Sequence, residues 1–148
     1  MLFFGTRYAK MSRRRLTIPG IFREALGKLV VVFAARWAQA VYVFPRATGE
    51  EFVRELLAGA KRDDDQAWGE AVWTVSPHSE PITLDESHRL TIPREILDAA
   101  NLPQEGAMAV ISLGDHLAVL TRERWNERQT ELCAKASLAA VKNVPGVF

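Results

Sequence analysis

The chain has 148 residues, 48% of them apolar and 25% charged, the balance of a globular protein able to bury a core of its own. Its single cysteine, Cys133, excludes an internal disulfide and points to a reducing compartment, and no uncharged run is long enough to cross a bilayer. Met1-Leu2-Phe3-Phe4 is apolar, but no basic stretch precedes it and Arg7 and Lys10 follow closely, so it lacks the layout of a signal peptide and a cytoplasmic protein is expected. The net charge is only +1, yet it is unevenly spread. Residues 1–28 hold seven bases (Arg7, Lys10, Arg13, Arg14, Arg15, Arg23, Lys28) against Glu24, whereas residues 80–100 hold five acids against Arg89 and Arg94. Such a cluster reads either as an electrostatic footprint or as a solvated basic edge strand, and charge alone does not separate the two.

Taken in chain order, the first polar segment, Lys10 to Arg14, predicts a turn between two strands. It leads into Arg15-Leu16-Thr17-Ile18-Pro19, which recurs unchanged as Arg89-Leu90-Thr91-Ile92-Pro93, 74 residues later. At average residue usage a repeat of this kind arises by chance in under about one chain of this length in a hundred. A short helix follows each copy. Proline suits a first helical turn, where its missing N–H is not needed, and Gly27 and Asn101 are left-handed stops. Each helix gives way to a strand (Leu29 to Phe33; Met108 to Ile111), a turn (through Gln39; through Gly114-Asp115) and a second strand (Val41 to Phe44; Leu117 to Leu120). The last pair is offset by 76, so two residues have been inserted between the anchors.

Each half then ends in a helix. Thr48-Gly49-Glu50-Glu51 has the form of a capping box, with Phe52, Val53, Leu56 and Leu57 as the apolar face behind it. Asp63 or Asp64 can cap a further helix bearing Ala67, Trp68, Ala71 and Val72, broken by Ser76-Pro77 and Pro81. Thr121 precedes a helix with Trp125, Leu132, Ala136 and Ala139. The tryptophans read as core or subunit-contact residues before ligand stackers. Residues 7–60 and 80–140 thus form two repeats joined by a helical linker, 61–79, within one compact unit spanning 1–148.

The turn before the second pentapeptide, Asp85-Glu86-Ser87-His88-Arg89, carries a specific likeness. With Leu90, Ile92 and Pro93 it resembles the doubled motif of the MraZ family: aspartate, two variable residues, usually glycine, then arginine, an apolar residue, a β-branched or aliphatic pair and proline. Ala99-Ala100-Asn101-Leu102 resembles the family's next segment, and the two-copy arrangement covers roughly residues 1–130. The resemblance implies a β-rich α+β fold of two tandem AbrB/SpoVT-like halves, interlocked about a pseudo-two-fold axis as a swapped-hairpin, double-split β-barrel with flanking helices. It also implies a nucleoid-associated transcriptional repressor that binds double-stranded DNA at short G-rich direct repeats upstream of division and cell-wall genes, assembled as a ring-shaped homo-oligomer.

Arg15 and Arg89 stand where the family contacts DNA, and an arginine fork can pair with guanine O6 and N7. Lys10, Arg13, Arg14, Ser87 and His88 complete the expected interface, with Asp85, and more weakly Ser12, holding the turns. A surface ion pair of Arg89 with Glu86 or Glu95 is the competing reading of that arginine. There are departures from the family. Met11 falls at the aspartate position of the first copy, and Arg14 and His88 replace the usual glycine. If these turns need φ > 0, each replacement costs about 1 kcal/mol.

Other classes fare worse. His78, His88 and His116 show no metal-ligand spacing with Cys133, and there is neither a nucleophile elbow nor a phosphate loop, so no cofactor, small-molecule substrate or membrane partner is implied and an enzyme is not expected. Asp63-Asp64-Asp65 reads as a cap and a solvated loop. A protein-interaction or assembly module of the same fold, having lost specific DNA binding, remains the alternative.

Overall fold

The structure, a computed structural model, describes residues 2–63 and 76–135. In order they form β1 (Thr6–Met11), β2 (Arg15–Thr17), α1 (Gly20–Leu26), β3 (Leu29–Ala35), β4 (Ala40–Pro45), α2 (Arg46–Asp63), β5 (Ser79–Thr83), β6 (Arg89–Thr91), α3 (Arg94–Ala99), β7 (Gly106–Ser112), β8 (Leu117–Thr121) and α4 (Arg122–Lys135). This is an α+β fold. Six strands make an antiparallel sheet in the order β1-β7-β8-β4-β3-β5, and β2 and β6 pair apart as a two-stranded ribbon. The sheet is not closed. Its edges are β1, bearing Arg7 and Lys10, and β5, bearing Glu80 and Pro81, residues that discourage pairing with another chain.

The order is that of two interlocked halves. β1 of the first half lies against β7 of the second, and β5 of the second against β3 of the first. Two ladders are symmetric about their centres. In β2–β6, Leu16 faces Leu90, with Arg15 opposite Thr91 and Thr17 opposite Arg89. In β4–β8, Tyr42 faces Ala118, with Val41 opposite Val119 and Val43 opposite Leu117. A pseudo-two-fold axis therefore passes through both centres. The offset between halves is 74 at Leu16/Leu90, 78 at Val32/Val110 and 76 at Val43/Val119. The two-residue insertion expected from the sequence is thus a four-residue longer connection between α3 and β7, less two residues in the β7–β8 hairpin.

Within β3, residues 30–35 are buried on both faces, as a central strand requires. On the sheet's inner face Val30, Val32, Val43, Val110 and Val119 pack against Leu16 and Leu90 of the ribbon and against Phe22, Leu26, Ile96 and Leu97 of α1 and α3. Each such side chain contributes about 1.5–3 kcal/mol on burial. α2 covers Val31, Phe33 and Phe44 on the outer face, and Trp125 of α4 lies over Ala109, Ile111, Ala118 and Leu120.

Gly27 (φ 70°) and Asn101 (φ 58°) stop α1 and α3 as expected. Pro19 and Pro93 sit one residue earlier than expected. They precede the helices with extended ψ (142° each), and their carbonyls accept from the N–H groups of Phe22 and Ile96. The capping box at Thr48 does not form, because α2 starts at Arg46, directly after Pro45, leaving Thr48 inside the helix. Gly49 serves close approach instead: a Cβ there would lie 2.9 Å from Cβ of Val31 and 3.0 Å from Cβ of Phe44. In the second half Thr121 does cap, its hydroxyl accepting from the N–H of Arg124 at 3.1 Å. The expected helix at Ala67, Trp68, Ala71 and Val72 lies outside the described residues, as do Ala136 and Ala139.

Candidate nucleic-acid interface

Along Arg15–Thr17 and Arg89–Thr91 the side chains alternate. Leu16 and Leu90 are fully buried, so Arg15, Thr17, Arg89 and Thr91 all face outward. Antiparallel pairing puts Arg15 beside Thr91 and Arg89 beside Thr17, which places the two arginines on a diagonal about 7–8 Å apart at the backbone.

The two preceding turns differ in length. The first has two central residues, Arg13 (φ 51°) and Arg14 (φ 64°), both left-handed, as a tight hairpin turn of the primed kind demands. It is closed by two main-chain bonds of 3.0 Å, Ser12 N–H to Arg15 carbonyl and Arg15 N–H to Ser12 carbonyl. The second has three, Glu86, Ser87 and His88, with only His88 left-handed (φ 57°). The Asp85 carboxylate holds it: Oδ1 accepts from the N–H groups of Ser87 and Arg89 at 2.9 Å each, and Oδ2 from Nε of Arg89 at 2.7 Å. These bonds, the Arg89 main-chain N–H first among them, hold the Asp85 carboxyl below its ordinary value against a smaller opposing effect of desolvation. The competing partners for Arg89, Glu86 and Glu95, are not used; a three-residue turn brings Asp85 back to it. Nε is engaged, so the two terminal nitrogens of Arg89 are aimed rather than consumed.

Arg14 and His88 occupy the positions where the motif usually has glycine, and both take up φ > 0, at about 1–2 kcal/mol each. Their carbonyls show what holds them there. That of Arg14 accepts from Ile92 N–H at 2.8 Å, and that of His88 from Ile18 N–H at 2.9 Å, a reciprocal clamp between the halves. The Arg14 N–H also donates to the Gln104 carbonyl at 2.9 Å. Each turn is therefore fastened to the strand that follows the other turn.

The expected residues divide accordingly. Arg15 and Arg89 share the ribbon; Arg13 and Ser87 are exposed at the turn tips; Arg14 and His88 are half-buried, with Nη1 of Arg14 reaching the Ile92 carbonyl at 3.5 Å. Lys10 lies on the face of β1 opposite to buried Met11, in a shallow depression shared with Tyr8 and Arg122, where the Arg122 guanidinium sits 4.1 Å from the Tyr8 ring centre. Met11 is a core residue with no surface exposed, so the residue flanking the first turn, opposite Arg15 as Asp85 is opposite Arg89, is Ser12. Ser12 closes its turn through the main chain. Thr17 and Thr91 join the outward face without belonging to the expected set, although the alternation of Arg-Leu-Thr-Ile signals their direction.

The chain is similar in sequence to known proteins. The chain is 33% identical over 130 residues to the transcriptional regulator MraZ of Mycolicibacterium gilvum (strain PYR-GCK), spanning 86% of this chain and 87% of that protein. It belongs to the MraZ family. The MraZ of Clavibacter michiganensis subsp. michiganensis is 28% identical over 151 residues, covering 99% of this chain and all of its own, and that of Roseiflexus sp. (strain RS-1) is 27% identical over 131 residues, 88% of each. No family model matches the chain. The MraZ relatives are named transcriptional regulators, not enzymes. Among the described residues no helix is long and apolar enough to cross a membrane.

Proposed function

We propose that the chain is a sequence-specific DNA-binding repressor that reads short repeated sites through the β2–β6 ribbon and its two turns. The observation that carries this is the outward face of the ribbon, which sets Arg15, Thr17, Arg89 and Thr91 side by side over a rigid core. A two-stranded ribbon fits the major groove of B-DNA, and Arg15 and Arg89 are the base-reading groups, with the Arg89 guanidinium oriented by Asp85. Arg13, Arg14 and Lys10 supply phosphate contacts, Ser87 and His88 flank them, and the turns are held by the Asp85 side chain and by the Ser12 main chain.

Membership of the MraZ family supports the further reading: the division and cell-wall gene cluster as target, a cytoplasmic, nucleoid-associated location, and two AbrB/SpoVT-like repeats (7–60 and 80–140, joined by 61–79) forming a double-split barrel. A ring-shaped homo-oligomer is supported by exposed apolar side chains, among them Phe4 (75% exposed) and Trp37 (59%), and lets weak turns act together along repeated sites through effective concentration.

Selection from a pool of random duplexes tests the reading. The expected outcome is enrichment of short G-containing repeats, bound with a strong salt dependence. If no duplex is bound at any salt concentration, the DNA reading is wrong and a role in protein assembly takes its place.

A further inference from the structure

The two halves differ most on the outer face of the sheet. Through the 76-residue offset of β4/β8 and the helices that follow them, Gly49, Phe52 and Leu56 of α2 correspond to Trp125, Arg128 and Leu132 of α4. In the first half the glycine lets α2 lie on the strands, Phe52 packs its ring 5.3 Å from Phe44 and 5.5 Å from Phe33, and Leu56 is buried. In the second half a tryptophan, Trp125, stands at the glycine's place and packs against the small side chains of the sheet. Small side chains, Ala118 opposite Tyr42 and Ala38 and Ala40 nearby, leave the space beneath unfilled. The result is a cavity of about 590 Å³, within the size range of small-molecule sites.

Among the described residues its polar lining comprises the hydroxyl residues Thr6, Tyr42 and Ser112, the acid Glu131, and two donors, Trp125 and Arg128. Nε1 of Trp125 is a buried N–H with no hydrogen-bond partner among the described residues. Arg128, standing where the other half has Phe52, lines the cavity and has no ion-pair partner among the described residues. Glu131, an acid on the wall, is drawn to Arg124 (3.8 Å), which also pairs with Glu127 (3.5 Å). An apolar floor with an unsatisfied donor and an arginine beside it calls for an apolar body with an anionic head.

We infer that this cavity is a binding site for a small anionic amphiphile, a medium-chain carboxylate or a molecule of the same chemistry, held by the apolar floor, Trp125 Nε1–H and Arg128. The site is independent of the DNA-reading ribbon, so it stands or falls by its own test.

Calorimetric titration of the whole chain with decanoate, below its micelle concentration, and with decanol provides that test. Wild type takes up both. Arg128→Ala weakens decanoate about tenfold and leaves decanol unchanged, Arg128→Lys retains most of the decanoate affinity, and Trp125→Phe weakens decanoate severalfold. Arg128→Phe, which supplies the ring that fills the other half, abolishes both. Thermal melts establish that each variant is folded. The inference is overturned if wild type takes up no decanoate to about 1 mM, or if Arg128→Ala and Arg128→Phe bind as wild type does. It is equally overturned if wild type binds neither probe while Arg128→Phe lowers particle mass in light scattering, which assigns the groove to a second copy.

Discussion

The two turns stand at equivalent places and reach the same end by different chemistry. The second is organised by a side chain: one carboxylate, Asp85, accepts three hydrogen bonds and also orients the arginine that follows. The first has no such carboxylate. It is one residue shorter, carries two consecutive left-handed arginines and closes through the main chain alone. What they share is the clamp, in which the carbonyl of Arg14 or His88 binds the strand of the opposite half. The local turn chemistry is therefore replaceable, and the cross-half bonds and the ribbon are the common element. The first turn is all cation; the second balances Arg89 against Asp85 and Glu86.

The sharpest way to break the comparison is at the symmetry axis. Leu16→Ala and Leu90→Ala remove facing, fully buried side chains, so each is expected to cost about 2–5 kcal/mol, and by similar amounts, in chemical denaturation. Unequal losses would show that the halves do not share the core evenly. Next comes the carboxylate. Asp85→Ala lowers the unfolding temperature by a few degrees and also loosens Arg89, whereas Asp85→Asn keeps the bonds to the main chain and loses only the charged one. Ser12→Ala, which removes no side-chain bond found among the described residues, stays within about 0.5 kcal/mol. His88→Gly relieves left-handed strain and raises stability by up to about 1 kcal/mol.

The smallest effect is on pH dependence. The carboxyl of Asp85 is depressed in the folded state, so its contribution is present above the unfolded value of about 3.9 and is lost as pH falls through the lower, folded value. Asp85→Asn should therefore be slightly less stable than wild type near neutrality and lack that part of the wild-type decline below about pH 4, so that the two converge in acid.

Much of this was legible in the sequence because it is local. The repeated pentapeptide marks both ribbon strands, Gly27 and Asn101 mark the helix ends, and the glycine positions of the motif predict the left-handed backbone found at Arg14 and His88. Other features needed three dimensions. An ungapped comparison of the two turns puts Met11 at the aspartate position, but in a strand a one-residue shift reverses every side chain, and the core claims Met11. Thr48 matches a capping pattern, yet Pro45 already ends β4 and the helix begins beside it. The exchange of β1 and β5 between halves is a long-range pairing with no local signal. The clamp at Ile18 and Ile92 is a main-chain device, and side-chain identity does not encode it.

The central claim is that the ribbon arginines read bases while the first turn supplies charge. The most direct measurement is a set of binding titrations on a selected duplex and on a random one, at several salt concentrations, for wild type, Arg15→Ala, Arg89→Ala and the pair Arg13→Ala with Arg14→Ala. Arg15→Ala and Arg89→Ala are expected to lose about 1–3 kcal/mol, roughly 5- to 150-fold, on the selected site and much less on random DNA. The Arg13/Arg14 double variant is expected to weaken both duplexes and flatten the log–log salt slope by about 0.9 for each phosphate it no longer neutralises. Unchanged affinity of Arg15→Ala and Arg89→Ala for the selected site would contradict the account.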